Sequence, residues 1–126
     1  MKKILLIDDD PDLREVMNTV LSSHYDLELA GSKEAGYKML ENSIPDLIVL
    51  DVMMESYDSG FEMCRELKNN DKYKDIRILI LTSVDKRMNI DFKAEAGDPD
   101  WLPADDYISK PVEPQELLAK VENLLT

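Results

Sequence analysis

Three runs of four apolar residues constrain this chain more than any other feature: Ile4-Leu5-Leu6-Ile7, Leu47-Ile48-Val49-Leu50 and Ile78-Leu79-Ile80-Leu81. A strand with one wet face alternates apolar and polar residues, because successive side chains point to opposite sides. None of the three runs alternates, so each needs cover on both faces. A parallel sheet flanked by helices meets that condition. A weaker strand, Tyr25 to Ala30, alternates through Leu27 and Leu29 and suits a sheet edge, and a short fifth, Tyr107-Ile108-Ser109, comes late in the chain.

Helical stripes separate the strands. Leu13, Val16, Met17, Val20 and Leu21 recur at helical spacing, and Pro11 sits near that helix's start, where its missing N–H costs nothing. Ser32 suits the N-cap of a second helix through Ala35, Met39 and Leu40, stopped by Pro45. A third helix is expected from Phe61 to Asn69 with Phe61, Cys64 and Leu67 inward, and a last one from Pro114 with Leu117, Leu118, Val121, Leu124 and Leu125 on one face. Asp85 to Ala96 reads as a further helix, although Met88, Ile90 and Phe92 alternate as in a strand. With right-handed crossovers, strand alternating with helix gives an open, doubly wound α/β sheet carrying helices on both faces. At 126 residues the chain is expected to be one domain, 1–126.

Composition removes several classes of function. The net charge is −12, which argues against binding nucleic acid or an anionic membrane, since both need a basic surface. Cys64 is the only cysteine, excluding an internal disulfide and a thiolate zinc site, and His24 is the only histidine. No apolar run reaches membrane-spanning length, and "MKKILLIDDD" is too short and acidic for a signal peptide, so a cytoplasmic location is expected.

The chemistry lies just past the strands: Asp8 and Asp9 after the first, Asp51 after the third, Thr82 after the fourth and Lys110-Pro111 after the fifth. In an open parallel sheet the carboxyl ends of the strands line one edge, and ligands bind there. Three carboxylates gathered on that edge resist ionising together unless a cation joins them, and a hard divalent ion such as Mg2+ meets that need. Lys110 adds a fixed positive charge and Thr82 a hydroxyl, so the pocket suits a tetrahedral anion. An aspartate can act as nucleophile in phosphoryl transfer, forming an acyl phosphate.

The motifs "ILLIDDDPDLR", "DLIVLDVMM…SGFE", "ILILTS" and "DYISKP", in this order, cover essentially the whole length. The chain resembles a response-regulator receiver domain of two-component signalling, of the stand-alone, chemotaxis-regulator-like kind. The resemblance implies a flavodoxin-like fold with strand order 2-1-3-4-5. It implies that Asp51 accepts a phosphoryl group from a phosphohistidine of a histidine kinase or histidine phosphotransfer protein. Asp9, Asp51 and the backbone carbonyl of Met53 would bind Mg2+, which Mn2+ can replace, and Asp8 would act through water. Thr82 and Lys110 would hold the phosphoryl oxygens, Tyr107 would be the aromatic switch, and the Lys110-Pro111 bond would be cis. On this reading the chain catalyses only its own phosphorylation and dephosphorylation, and it signals by contact with an output protein. It would be a monomer or a phosphorylation-promoted dimer; no output domain follows the last helix, as in a stand-alone receiver or a piece cut from a longer protein.

Some positions depart from the family's pattern. Glu55 stands where proline is usual, Gly60 comes later than usual, and Ser83 replaces a commoner alanine. The loop 97–106 is long and enters the face usually used for output, where Trp101 and Leu102 either cover that face or form a partner-specific patch. Met53 and Val84, two residues beyond Asp51 and Thr82, are apolar, which implies slow self-dephosphorylation.

Other classes fit less well. An aspartate-based, metal-dependent phosphohydrolase would use "Asp8-Asp9-Asp10-Pro11-Asp12", but it needs Thr or Val where Asp12 stands and leaves Asp51 without a role. An EF-hand starting at Asp8, Asp10 and Asp12 fails on Leu13 and Thr19. A flavin carrier needs a Ser/Thr/Gly-rich loop after the first strand in place of the acids. A receiver-like docking module that is never phosphorylated stays open.

Overall fold

A computed structural model describes residues 2–51, 59–83, 104–110 and 112–125, with the backbone alone at 59–61, 82, 83, 109 and 110. Five strands, β1 (Lys3–Ile7), β2 (Asp26–Ala30), β3 (Leu47–Asp51), β4 (Arg77–Ser83) and β5 (Asp106–Lys110), form one sheet in the order β2-β1-β3-β4-β5. All four pairings are parallel. Four helices are described: α1 (Pro11–Leu21), α2 (Lys33–Asn42), α3 (Ser59–Lys68) and α4 (Pro114–Leu125). The expected doubly wound, flavodoxin-like order is the one observed. The expected helix at Asp85 to Ala96 lies outside the described residues, as do Met53, Glu55, Val84, Trp101, Leu102 and Pro111.

Parity along the apolar quartets explains their lack of alternation. Leu5, Ile7, Ile48, Leu50, Ile78 and Ile80 pack with Leu40 of α2 and Met63, Cys64 and Leu67 of α3. Their neighbours Ile4, Leu6, Leu47, Val49, Leu79 and Leu81 pack with Met17 and Leu21 of α1 and Leu117 and Val121 of α4. Every quartet side chain is at most 2% exposed. Burying an aliphatic side chain of that size contributes about 1.5–3 kcal/mol, so this two-sided core decides the sheet's arrangement.

Local signals set the helix ends. The Asp10 carboxylate accepts from the amides of Asp12 at 3.0 Å and Leu13 at 3.4 Å, capping α1 just ahead of Pro11. Ser32 Oγ accepts from the Ala35 amide at 3.1 Å, and α2 ends at Asn42, short of Pro45. Helix α3 begins at Ser59, ahead of the expected Phe61, and it buries Met63 beside Cys64 and Leu67. Helix α2 lies close on the sheet at Gly36, where a Cβ would stand 2.7 Å from Ile7 Cδ1. At the sheet's amino edge, Asp105 accepts from the Ile78 amide at 2.8 Å and from Lys68 Nζ at 2.9 Å, tying the start of β5 to β4 and α3. No helix among the described residues is long and apolar enough to cross a membrane.

Candidate functional site

The register of the sheet brings the expected residues to one edge. Ile7 of β1 is level with Leu50 of β3, and the next residues along are Asp8 and Asp51. The Asp8 amide donates to the Ala30 carbonyl at 3.0 Å, continuing the β1–β2 ladder past the strand's formal end. On the other side Asp51 is level with Leu81, followed by Thr82 opposite Ser109 and Ser83 opposite Lys110. For Thr82 and Lys110 the described backbone thus stands at the carboxyl edge, while Met53 and Pro111 lie outside the described residues.

Asp8, Asp9 and Asp51 each turn a carboxylate oxygen into a common space, all within 4.8 Å of one another. Asp8 is 0% and Asp51 1% exposed; among the described residues they are the buried charged side chains, whereas Asp9 is exposed. Two unit charges that far apart repel by about 3.5 kcal/mol at an effective dielectric of about 20. Local hydrogen bonds hold the geometry against that repulsion. Asp8 Oδ1 accepts from the Asp10 amide at 2.9 Å, and Arg14 Nη1 donates to the Asp8 backbone carbonyl at 2.7 Å. The converging donors are carboxylate oxygens, the ligand type suited to a hard divalent cation rather than to zinc or copper. The residues therefore fit such an ion.

Tyr107 is half-buried on β5, packed against the cluster under α2 and α3. Lys120 Nζ of α4 stands 5.1 Å from the centre of its ring and 3.1 Å from the Asp106 carboxylate. His24 follows α1, its ring beside Tyr25 with centroids 6.4 Å apart, and takes no part in the acidic cluster. Cys64 is fully buried, and burial pushes its thiol up to about 12, so it is a core residue rather than a nucleophile. Sequence reasoning passed over Arg14, Gly31, Asp105 and Lys120. Their partners come from distant elements, and only Arg14, six residues after Asp8, carried a local hint.

Comparison with known proteins sets these features in context. The chain is 36% identical over 126 residues to the "DNA-binding dual master transcriptional regulator RpaA" of Synechocystis sp., covering 99% of this chain and 49% of that protein. It is 39% identical over 124 residues to the "Response regulator MprA" of Mycobacterium sp. (strain KMS), covering 98% and 50%. The chain thus spans about half the length of these relatives. Among solved structures, the signal receiver domain of a signal transduction histidine kinase from Syntrophus aciditrophicus superposes with a TM-score of 0.83 at 29% identity, covering 99% of this chain and 90% of that one. The chemotaxis response regulator CheY4 of Vibrio cholerae does so with 0.79 at 26%, covering 99% of each chain. One expectation is corrected by these relatives. Nucleic acid was excluded on charge, yet the Synechocystis protein is described as DNA-binding. A net charge of −12 on a chain spanning 49% of such a protein weighs on that portion alone and excludes nothing for the whole. The response regulator receiver domain family model matches residues 4–122, from the first buried strand into the last helix, and this chain belongs to that family.

Proposed function

We propose that this chain is a phosphorylation-dependent signalling switch whose phosphoacceptor is Asp51. The observation carrying this reading is the burial of Asp51 at the carboxyl edge, 1% exposed within a triad of carboxylates that fits a divalent cation. An Asp51 carboxylate oxygen attacks the phosphorus of a phosphohistidine on a histidine kinase or phosphotransfer protein. The O–P bond forms, the N–P bond breaks, and the imidazole leaves. Asp9 and Asp51 would hold Mg2+, with the Met53 carbonyl carried over from the family and Asp8 reaching the ion through water. When bound, the ion neutralises charge on the carboxylates and the transferring group. Lys110 and Thr82, whose backbones stand on the same edge, would receive the phosphoryl oxygens. The new dianion then favours an arrangement with Tyr107 turned inward, out of states the free domain already samples.

The signal passes by contact with an output partner in the cytoplasm. The DNA-binding activity named for the Synechocystis relative makes a transcriptional regulator one class of output. The second reading, a docking module that is never phosphorylated, is separated by one experiment. Incubation with acetyl phosphate and Mg2+ is expected to add one phosphoryl mass, lost in Asp51→Asn. No adduct on the folded protein under saturating donor would favour the docking module.

A further inference from the structure

We propose that Arg14 is the positioning residue of the acidic cluster, gripping the peptide between Asp8 and Asp9 and so setting where both carboxylates stand. The inference rests on the reading of that cluster as a Mg2+ site. The Asp8 residue is held from two sides: its amide donates to the Ala30 carbonyl at 3.0 Å, and its carbonyl accepts from Arg14 Nη1 at 2.7 Å. The guanidinium also has a seat. Gly31, the residue after Ala30, leaves open the space it occupies: a Cβ there would meet Arg14 Nη1 at 3.0 Å, Cζ at 3.4 Å and Nη2 at 3.7 Å. Gly31 is thus the floor of the clamp. A Cβ at that position would make the guanidinium give by a few tenths of an ångström and loosen its hold on the Asp8 carbonyl. The arginine reaches back from the first turns of α1, whose Arg14 amide bonds to the Asp10 carbonyl at 3.0 Å, so helix, loop and strand end form one rigid corner. Groups that orient metal ligands without touching the ion commonly change affinity by ten- to a hundredfold when removed.

The sign of the effect distinguishes the clamp from a bystander charge. A nearby guanidinium repels a divalent cation, so removing it as charge alone would tighten Mg2+ binding. Removing it as a clamp would loosen binding. Calorimetric titration of Mg2+ into the wild-type chain, Arg14→Met and Gly31→Ala is the test, with unfolding midpoints recorded in EDTA. We expect affinity about tenfold lower in Arg14→Met and a smaller fall in the same direction in Gly31→Ala. Gly31→Ala is the sharper of the two because it keeps the positive charge and displaces only its position. Should Arg14→Met fail to fold, Gly31→Ala decides alone. Affinity unchanged in Gly31→Ala, or raised in Arg14→Met, overturns the clamp, as does a fall in EDTA stability with no change in affinity. A wild-type chain that takes up no Mg2+ overturns the metal-site reading itself and this inference with it.

Discussion

Replacing Asp51 by asparagine should stabilise the metal-free protein, and the size of the gain can be worked from the cluster. Asp8 and Asp51 are at most 1% exposed, with carboxylate oxygens no more than 4.8 Å apart. At an effective dielectric of about 20 the repulsion between them is about 3.5 kcal/mol. Exposed Asp9 adds about 0.9 kcal/mol if water screens it fully. The asparagine amide keeps the shape and loses the charge. It also weakens the further interaction that Asp51 makes, which offsets part of the relief. A net gain of about 1–3 kcal/mol remains, and at about 4 °C per kcal/mol the melting temperature should rise by about 4–12 °C. The assay is thermal unfolding by circular dichroism in EDTA, repeated with Mg2+. Wild type should gain midpoint on adding Mg2+, and the variant should gain little, closing the gap between them. Because the pair is buried, the EDTA difference should survive high salt, which screens exposed charges far more. If Asp51→Asn unfolds in EDTA at or below the wild-type midpoint, the buried carboxylates do not repel one another at this strength.

Particular contacts elsewhere in the fold carry their own consequences. Gly36→Ala places a Cβ 2.7 Å from Ile7 Cδ1, so despite a better helix former it should cost about 1–2 kcal/mol by denaturant unfolding. Adding Ile7→Val removes that Cδ1, and the double mutant should be about 1 kcal/mol more stable than additivity allows; strict additivity would contradict the contact. Burial pushes the Glu66 carboxyl up, but hydrogen bonds from Tyr37 and Lys33 and the charges of Lys33 and Arg65 outweigh it and leave the group below its ordinary 4.5. A depressed carboxyl contributes stability above its unfolded value and loses it as pH falls through its folded one. Tyr37→Phe should therefore flatten the loss of stability below pH 4.5, and an unchanged acid limb would refute the linkage. Cys64, fully buried and pushed up to about 12, should react with a thiolate-selective reagent only as fast as the protein opens, tracking the urea-unfolded population.

Much of the fold was legible because each element carried its own signal. The quartets lacked alternation, and the structure buries both their faces; Ser32 and Pro11 marked helix starts where helices begin. Boundaries were less legible. β5 extends past Tyr107-Ile108-Ser109 to Asp106 and Lys110, and the Asp105 carboxylate that anchors its start draws on β4 and α3, which no local pattern reveals. Asp8, Asp9 and Asp51 could be placed on one edge from strand order alone. Arg14 could not be assigned to them, because a charged residue on a helix face reads as solvated until its carbonyl partner is known. The exclusion of nucleic acid went wrong for a different reason. Net charge is a property of the chain in hand, while the Synechocystis relative is about twice as long.

The meeting of Asp8 and Asp51 is a by-product of hydrophobic register, which explains how so costly a cluster forms. Ile4 is level with Leu47 and Ile7 with Leu50, so the same offset sets Asp8 opposite Asp51. Parity agrees: Asp8 continues the series Ile4 and Leu6, and Asp51 continues Leu47 and Val49, the two series that pack on the α1 and α4 side. Sliding β1 against β3 by one residue would separate the two acids and relieve about 3.5 kcal/mol of repulsion. It would also move the four side chains of the β1 quartet to the wrong faces, out of the pockets that the helices on either side provide, and each of those buried side chains contributes about 1.5–3 kcal/mol. Two or three of them outweigh the repulsion. The core therefore holds the carboxylates together whether or not a cation is present, and an arriving ion would find its ligands already gathered. The charge conflict is thus stored in the native state, where a bound cation would relieve it, so Mg2+ should bind without the sheet rearranging.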